Sequence, residues 1–318
     1  MRFEIIYDEN IRSEYVLAGK SDLDWTKENL AFSETGKDFT LKLNFPAPLL
    51  DKEFLVDLAK QVKQKEIKKV IFEVGELVLK TGSKTVKYDS LETNRLTFAN
   101  KGLVEKRLFE KIALSWIQRG VNILSPDNVF IESTVKLEEG STIYPFNILK
   151  GLSVVKRNAV LLGNNFIENS EIGEAARVLT SFVYDSKIGA NSTVGPFSQV
   201  RMGSVIGNNV RVGDFVEIKN STLHDGVKSA HLTYVGDAEV GENTNIGCGT
   251  VFCNYDGKRK HHTTVGRNVF VGANVNLVAP LSVGDDSFIA GGSTITDDIP
   301  DCTFAIGRER QTNKKLKK

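Results

Sequence analysis

A six-residue beat of aliphatic side chains constrains this chain more than any other feature. Ile188, Val194, Val200, Ile206, Val212 and Ile218 stand six apart, and so do Val265, Val271, Leu277, Val283, Ile289 and Ile295. An earlier run, Val154, Val160, Phe166, Ile172 and Val178, keeps the same step. A helix repeats every ~3.6 residues and a strand every ~2, so neither accounts for a sustained six. A parallel β-helix does: each short strand points one aliphatic residue into a common core, turns a corner and starts again. Small residues follow the inward one at Ile188-Gly189, Val194-Gly195, Ile206-Gly207, Val212-Gly213, Val271-Gly272 and Val283-Gly284. Chance spacing in an ordinary β-rich domain is the competing reading, and three long in-phase runs argue against it.

The breaks in the beat are as informative as the beat. Between Ile218 and Val265 the phase slips, and Val240, Ile246 and Phe252 restore it briefly. The stretch Cys253-Asn254-Tyr255-Asp256-Gly257-Lys258-Arg259-Lys260-His261-His262 then offers no inward aliphatic. A segment this polar cannot lie in the core of a coil, so it is expected to protrude. Excursions from a rigid scaffold are where binding and catalysis concentrate.

Outside the beat the chain divides further. Residues 1–100 show no hexads and read as a small α+β domain, with strands expected at Phe3–Tyr7, Phe39–Leu43 and Val70–Val74. Asp51 to Lys65 reads as an amphipathic helix with Phe54, Leu55, Leu58 and Val62 on one face and Asp51 as its N-cap. A second helix, Leu103 to Gln118, carries Leu103, Leu108, Ile112 and Trp116, ends at Gly120, and makes 101–121 a linking arm. The coil is expected over 122–307, and 308–318 is a basic tail that reads as a frayed end. The fold class expected is therefore mainly β, a β-helix preceded by a small α+β domain and a helix. Leu17-Ala18-Gly19-Lys20-Ser21 lacks the spacing of a phosphate-binding loop.

Composition narrows the functional classes. The net charge is only +1 across 318 residues, which leaves no footprint for nucleic acid. No apolar run is long enough to cross a bilayer, and Met1-Arg2-Phe3-Glu4 opens no signal-peptide stretch. Cys248, Cys253 and Cys302 are too few for a disulfide framework. These features point to a cytoplasmic protein. Cys248, Cys253, His261 and His262 match no zinc spacing, and buried thiols beside an exposed histidine pair are the simpler reading; no metal is expected.

Candidate chemistry is densest between Arg201 and Lys260. Arg201, Lys219, Lys228 and Lys260 offer a bidentate fork and point charges for phosphate, although any one of them alone reads equally as a solvated surface cation. His231 is the natural general base near neutral pH, with Glu217 as a carboxylate that could orient it; an isolated histidine is more often structural. Asn245 and Asn254 could donate amide hydrogens to a developing oxyanion, or simply occupy corners. Tyr234 and Tyr255 could meet a ligand or pack.

Gly195-Pro196-Phe197, Val216-Glu217-Ile218-Lys219, Lys228-Ser229-Ala230-His231-Leu232-Thr233-Tyr234, Gly236-Asp237-Ala238, Asn245-Ile246-Gly247, Cys253-Asn254-Tyr255-Asp256-Gly257 and Gln311-Thr312 together carry a family resemblance. From about residue 103 to 314 the chain resembles the C-terminal acetyltransferase domain of the bifunctional N-acetylglucosamine-1-phosphate uridyltransferase/glucosamine-1-phosphate acetyltransferases. The resemblance implies a left-handed β-helix, a homotrimer with sites between subunits, and acetyl transfer from acetyl-CoA to the amine of glucosamine-1-phosphate on the way to UDP-N-acetylglucosamine. It assigns His231 as general base, with Glu217 and Asn254 supporting the catalytic site. Arg201, Lys219 and Lys260 would hold the phosphate, and Tyr234, Asn245 and Tyr255 the sugar. Cys248, Ala273, Gly291 and Arg308 fall at CoA-contacting positions.

The chain also departs from the family. Cys248 replaces a common alanine, which bears on thiol sensitivity, and Ala273 replaces a frequent serine, which bears on CoA affinity. The glycine-rich, Thr-Arg-containing nucleotide loop of the uridyltransferase is not found, so UTP-dependent pyrophosphate release is not expected of this chain. Residues 1–100 could cap the coil or bind a separate uridyltransferase. Two other readings stand beside the leading one: a same-fold acetyltransferase for another amino sugar or sugar nucleotide, and a non-catalytic trimeric scaffold.

Overall fold

The computed structural model describes residues 101–315 without a break, and before them the segments 3–7, 16–21, 24–25, 39–43, 69–73, 76–81 and 84–88. Two compact units divide at Ile112/Ala113.

In the first unit, Phe3–Tyr7 pairs in parallel with Phe39–Leu43, and Lys69–Glu73, Glu76–Thr81 and Lys84–Tyr88 form an antiparallel meander. The expected strands thus form within a residue of their predicted bounds; the helix expected over 51–65 lies outside the described residues. Val16–Leu17 and Lys20–Ser21 form a hairpin whose turn residues, Ala18 and Gly19, both have positive φ. That is the mirror-image turn a two-residue hairpin favours, and Gly19 adopts it without a Cβ clash. Leu17-Ala18-Gly19-Lys20-Ser21 is therefore a hairpin. Trp25 donates its indole N–H to the Leu17 carbonyl at 2.8 Å.

Helix α1 (Lys101–Ile117) buries Val104, Leu108, Ile112 and Ala113. Leu103, expected on the apolar face, is exposed instead. Val104, Leu108 and Ile112 follow the four-residue spacing that keeps side chains on one stripe, and Leu103 falls outside it. Gly120, at φ +84°, ends the helix as expected and donates to the Ile117 carbonyl.

From Asn122–Ile123 to Phe304–Ala305 the second unit is a left-handed parallel β-helix with three faces of eleven, ten and nine strands. Successive turns stack in parallel. Thr142 lies beside Val160, Val160 beside Arg177, Arg177 beside Thr193, and Thr193 beside Arg211, so after the first turn, in which Asn122 pairs with Thr142, a turn consumes 16 to 18 residues. The step rises to 25 at Ala238/Thr263, Asn245/Phe270 and Val251/Asn276, which absorbs the polar excursion. Residues 255–260 of that excursion are exposed, as expected, but Asn254 is buried.

The core is a column of single aliphatic residues. The two later runs point inward as predicted, from Ile188 to Ile218 and from Val265 to Ile295. The first run does so only at its end, where Ile172 and Val178 are buried as predicted. Before Ile172 the inward residues are instead Ile131, Leu137, Ile143, Leu149, Val155, Leu161 and Ile167, again six apart, while Val154, Val160 and Phe166 sit one position early and are half-buried. Each of these strands carries an apolar doublet, and alternation across a strand admits only one member to the core. Phe166 instead stacks outside on Phe182, with ring centroids 6.3 Å apart. Five-residue steps, such as Ile167 to Ile172 and Val178 to Val183, then bring the column into the later phase.

Two residues before most inward aliphatics lies a buried Ser, Thr or Asn that satisfies the corner backbone. Ser192 donates to the Gly207 carbonyl at 2.7 Å and accepts from the Val210 amide at 2.9 Å. Asn165 donates to the Asn147 side chain at 2.9 Å, one turn away. Buried corners need such partners because an unpaired backbone group is costly.

The phase assignment makes a direct prediction. Leu161→Ala should destabilise the coil by about 2–5 kcal/mol, whereas Val160→Ala should cost far less. Urea denaturation of the two variants checks this, and equal losses would contradict the assigned phase.

Candidate functional site

The site grows from adjacent turns around the corner between the eleven- and ten-stranded faces. The strand Lys228–His231 ends the eleven-stranded side, and Tyr234–Gly236 begins the ten-stranded side three residues later. His231 lies directly beside Asp214 on the turn before. Its Nδ1 is 2.6 Å from Asp214 Oδ1, and half of its side chain is open to solvent. The expected partner, Glu217, is engaged elsewhere: its Oε1 accepts from Arg201 Nε at 2.9 Å and lies 2.7 Å from the guanidinium NH2. Asp214 and His231 are 17 residues apart, one coil turn, and that spacing is the signal that identifies the pair.

At the far end of the ten-stranded face Arg201 lies beside Lys219, and Lys219 beside Gly236. Lys219 is buried and donates to both oxygens of Asp237 at 2.8 Å. Asp237 also accepts from Asn220 at 2.7 Å and from Asn254 at 2.5 Å. Burial would raise the Asp237 carboxyl, but the hydrogen bonds from Lys219 and Asn220 and the lysine charge outweigh it and hold the group below its ordinary value. Burial likewise opposes the Lys219 ammonium, and the Asp237 carboxylate more than compensates, holding it above its ordinary value.

Asn254 was expected to offer its amide to an oxyanion. A carboxylate only accepts hydrogen bonds, so the amide nitrogen must face Asp237. Its second hydrogen bond goes to the Tyr234 hydroxyl at 3.2 Å, so both donors are committed within the chain. Asn254 therefore braces Tyr234 and Asp237. Gly236 permits this arrangement, because a Cβ there would meet the Tyr234 hydroxyl and would lie 2.6 Å from Asn254 Nδ2.

Lys260 enters from the excursion, where it bridges in antiparallel fashion to Tyr255. The Lys219 ammonium facing it pushes Lys260 below its ordinary value, with Arg201 adding to the effect. Arg201, Lys219 and Lys260 are thus brought together, as predicted. Lys228 is not with them; it lies on the eleven-stranded face between Arg211 and Asn245. Asn245 shares that face, beside Phe270, and so stands apart from the cation group within one copy of the chain. Tyr255 is exposed on the loop.

The loop tip is organised by Asp256. It accepts from the Lys258 and Arg259 amides at 2.7 and 2.8 Å and lies 2.7 Å from His261 Nε2, and the His261 contact first among these lowers its carboxyl to about 2. His261 is thereby occupied. Among the described residues no group of three His, Cys, Asp or Glu side chains converges as a metal cage. Cys248 and Cys253, expected to be buried, are exposed and half-buried, and Cys302 is exposed as well. Each belongs to a corner or an outward strand position rather than to the aliphatic column.

The four residues expected at CoA positions form an exposed corner column leading away from His231. Gly249 N donates to the His231 carbonyl at 3.3 Å, Asn274 N to the Cys248 carbonyl at 2.7 Å, and Gly292 N to the Ala273 carbonyl at 2.8 Å. Arg308 closes the column, its Cδ 3.9 Å from where a Gly292 Cβ would lie. Small residues at Cys248, Ala273 and Gly291 leave this corner unobstructed. Two cavities, of about 410 and 360 Å³, lie on the nine-stranded face, away from these side chains.

Residues 185–220 and 262–297 match the family model described as bacterial transferase hexapeptide (six repeats). The chain carries a hexapeptide-repeat domain. The gap between the matched segments holds His231, Tyr234, Asp237 and Asn254, where polar residues interrupt the repeat. The chain is 46% identical over 238 residues to the bifunctional protein GlmU of Clostridium acetobutylicum, covering 74% of this chain and 51% of that one. It is 40% identical over 248 residues to the Brevibacillus brevis protein of the same name, covering 77% and 54%. It is 48% identical over 211 residues to the one from Clostridium tetani, covering 66% and 46%. These matches bear out the resemblance carried by the motifs. The chain spans about half the length of the curated relatives it matches.

The buried pair yields the prediction here. Asp237→Ala strands the Lys219 ammonium and should cost about 3–5 kcal/mol, while Asp237→Leu combined with Lys219→Met should cost much less. The pair's pH window follows from the two shifts. Asp237 contributes above its ordinary 3.8 and loses this as pH falls through its lower folded value. Lys219 contributes below its ordinary 10.5 and loses this as pH rises through its higher folded value. Denaturation across pH checks both limbs; an Asp237→Ala variant of wild-type stability would contradict the role of the pair.

Proposed function

We propose that this chain transfers acetyl from acetyl-CoA to the amine of glucosamine-1-phosphate, giving N-acetylglucosamine-1-phosphate for UDP-N-acetylglucosamine synthesis. The observation that carries this reading is the placement of two groups at the two ends of the ten-stranded face. A histidine with its Nε2 free stands at one corner, and three cations gather at the far end of the adjoining strand. An amino sugar with a phosphate presents the same pair of features, a nucleophilic nitrogen and an anion held apart by a ring.

In this reading Arg201, Lys219 and Lys260 bind the phosphate, and Tyr234, braced by Asn254, contacts the sugar. Acetyl-CoA lies along the corner column of Cys248, Ala273, Gly291 and Arg308 and supplies the activated acyl group. The amine attacks the thioester carbonyl, His231 takes a proton from the attacking nitrogen at Nε2, the C–S bond breaks, and the departing thiolate takes that proton from the imidazolium and leaves as the thiol. General base help of this kind is worth about 10²–10⁴-fold.

The reading extends to a homotrimer. Asn245 and the exposed stack Phe270, Phe288 and Phe304, with centroids 4.7 and 5.6 Å apart, share a face that a second copy would cover, bringing Asn245 to a neighbour's site. Light scattering that finds a stable, active monomer would contradict this.

His231→Ala tests the base assignment. Thiol release from acetyl-CoA with glucosamine-1-phosphate should fall by about 10²-fold or more while the coil melts as in the wild type. Activity surviving within a few-fold would sink the assignment.

A further inference from the structure

We infer that Asp214 is the positioning residue for His231: its carboxylate holds the imidazole as the Nδ1–H tautomer and leaves Nε2 to take the proton. The inference rests on the reading of His231 as general base.

The tautomer follows from donor and acceptor rules. At 2.6 Å from Nδ1, the Asp214 carboxylate can only accept, so the shared hydrogen belongs to the imidazole. Nε2 then keeps its lone pair on a ring that is half open to solvent. The other two histidine–carboxylate pairs among the described residues have the opposite arrangement. His224 meets Glu239, and His261 meets Asp256, each through Nε2, the nitrogen a substrate would need. His231 is thus distinguished by which nitrogen is engaged rather than by having a partner.

The coil fixes the pair through its backbone. Asp214 and His231 are register partners on adjacent turns, and Leu232 N donates to the Asp214 carbonyl at 3.0 Å. Any side chain at 214 is therefore presented to the ring at 231. Nearby groups do not compete for Nδ1. Glu217 is held by Arg201, and the following turn presents Cys248 and Gly249 at this corner. A pair this exposed adds little to stability, so its consequence lies in orienting the ring. This is the arrangement by which a carboxylate sets the tautomer of a catalytic histidine.

The test reads the tautomer directly. Histidine ring-nitrogen NMR, with His231 assigned by His231→Gln, should show Nδ1–H in the neutral wild-type ring. Asp214→Leu should shift that ring toward Nε2–H and lower kcat about tenfold or more, with the KM for the amino sugar held within about twofold. Asp214→Asn keeps an acceptor oxygen without the charge, preserves the side-chain shape, and should fall between the two. An Asp214→Leu protein with wild-type tautomer and wild-type kcat would overturn the inference, as would an unchanged tautomer in the isosteric Asp214→Asn and Asp214→Leu pair. The tautomer reading stands whatever the acceptor proves to be. A wild-type protein with the predicted tautomer that does not acetylate glucosamine-1-phosphate would refute the proposed reaction and leave the Asp214–His231 pairing intact.

Discussion

The parallel register of the coil is the constraint on which the rest depends. Backbone pairing sets each strand residue beside another one turn later, 16 to 18 positions on, and thereby converts linear spacing into columns. The aliphatic column inside and the Ser, Thr and Asn column at the corners are both products of that register. So are the pairs of the candidate site: Asp214 on His231, Arg201 on Lys219, Glu217 on Tyr234. The scaffold needs no loop to bring these side chains together. One excursion of the described coil, where the step lengthens to 25 residues, delivers Asn254 and Lys260 to the same face.

The electrostatic design at that face separates a fixed charge from an available one. Lys219 and Asp237 are buried together, and a buried ion pair survives only when its remaining bonds are met. Asn220 and Asn254 meet them, and Asn254 carries the constraint onward to Tyr234. Arg201 is held in turn by Glu217. Three cations against two carboxylates leave one net positive charge, and among the described residues the exposed Lys260 is the member without a direct carboxylate contact. A rigid patch of this sign suits an anionic group while costing little reorganisation on binding.

Much of the fold was legible because one residue type recurs at one step. The runs from Ile188 and from Val265 needed only counting. The run before Ile172 was legible in its period and not in its phase, because Val154-Val155, Val160-Leu161 and Phe166-Ile167 offer two apolar residues where the core takes one. Candidate-site residues were legible where a side chain has few other uses, as with His231, Arg201 and Lys219. Asp214 and Asp237 were not, since an aspartate in a β-corner sequence looks like any turn residue until the register places it. Asn254 was legible as a candidate, but the sequence does not reveal that both of its amide hydrogens go to Asp237 and Tyr234. Asp214 could have been found by laying the 17-residue step from His231 back along the chain.

Acceptor discrimination tests the assignment of this face most directly. Purified protein would be given acetyl-CoA with glucosamine-1-phosphate, glucosamine-6-phosphate or plain glucosamine, and thiol release followed over time. Rapid release with the 1-phosphate alone is the predicted result, because only that acceptor reaches His231 with its amine and Arg201, Lys219 and Lys260 with its phosphate. Equal rates with plain glucosamine would contradict the role given to the three cations, and silence with all three acceptors from a folded protein would contradict the proposed reaction.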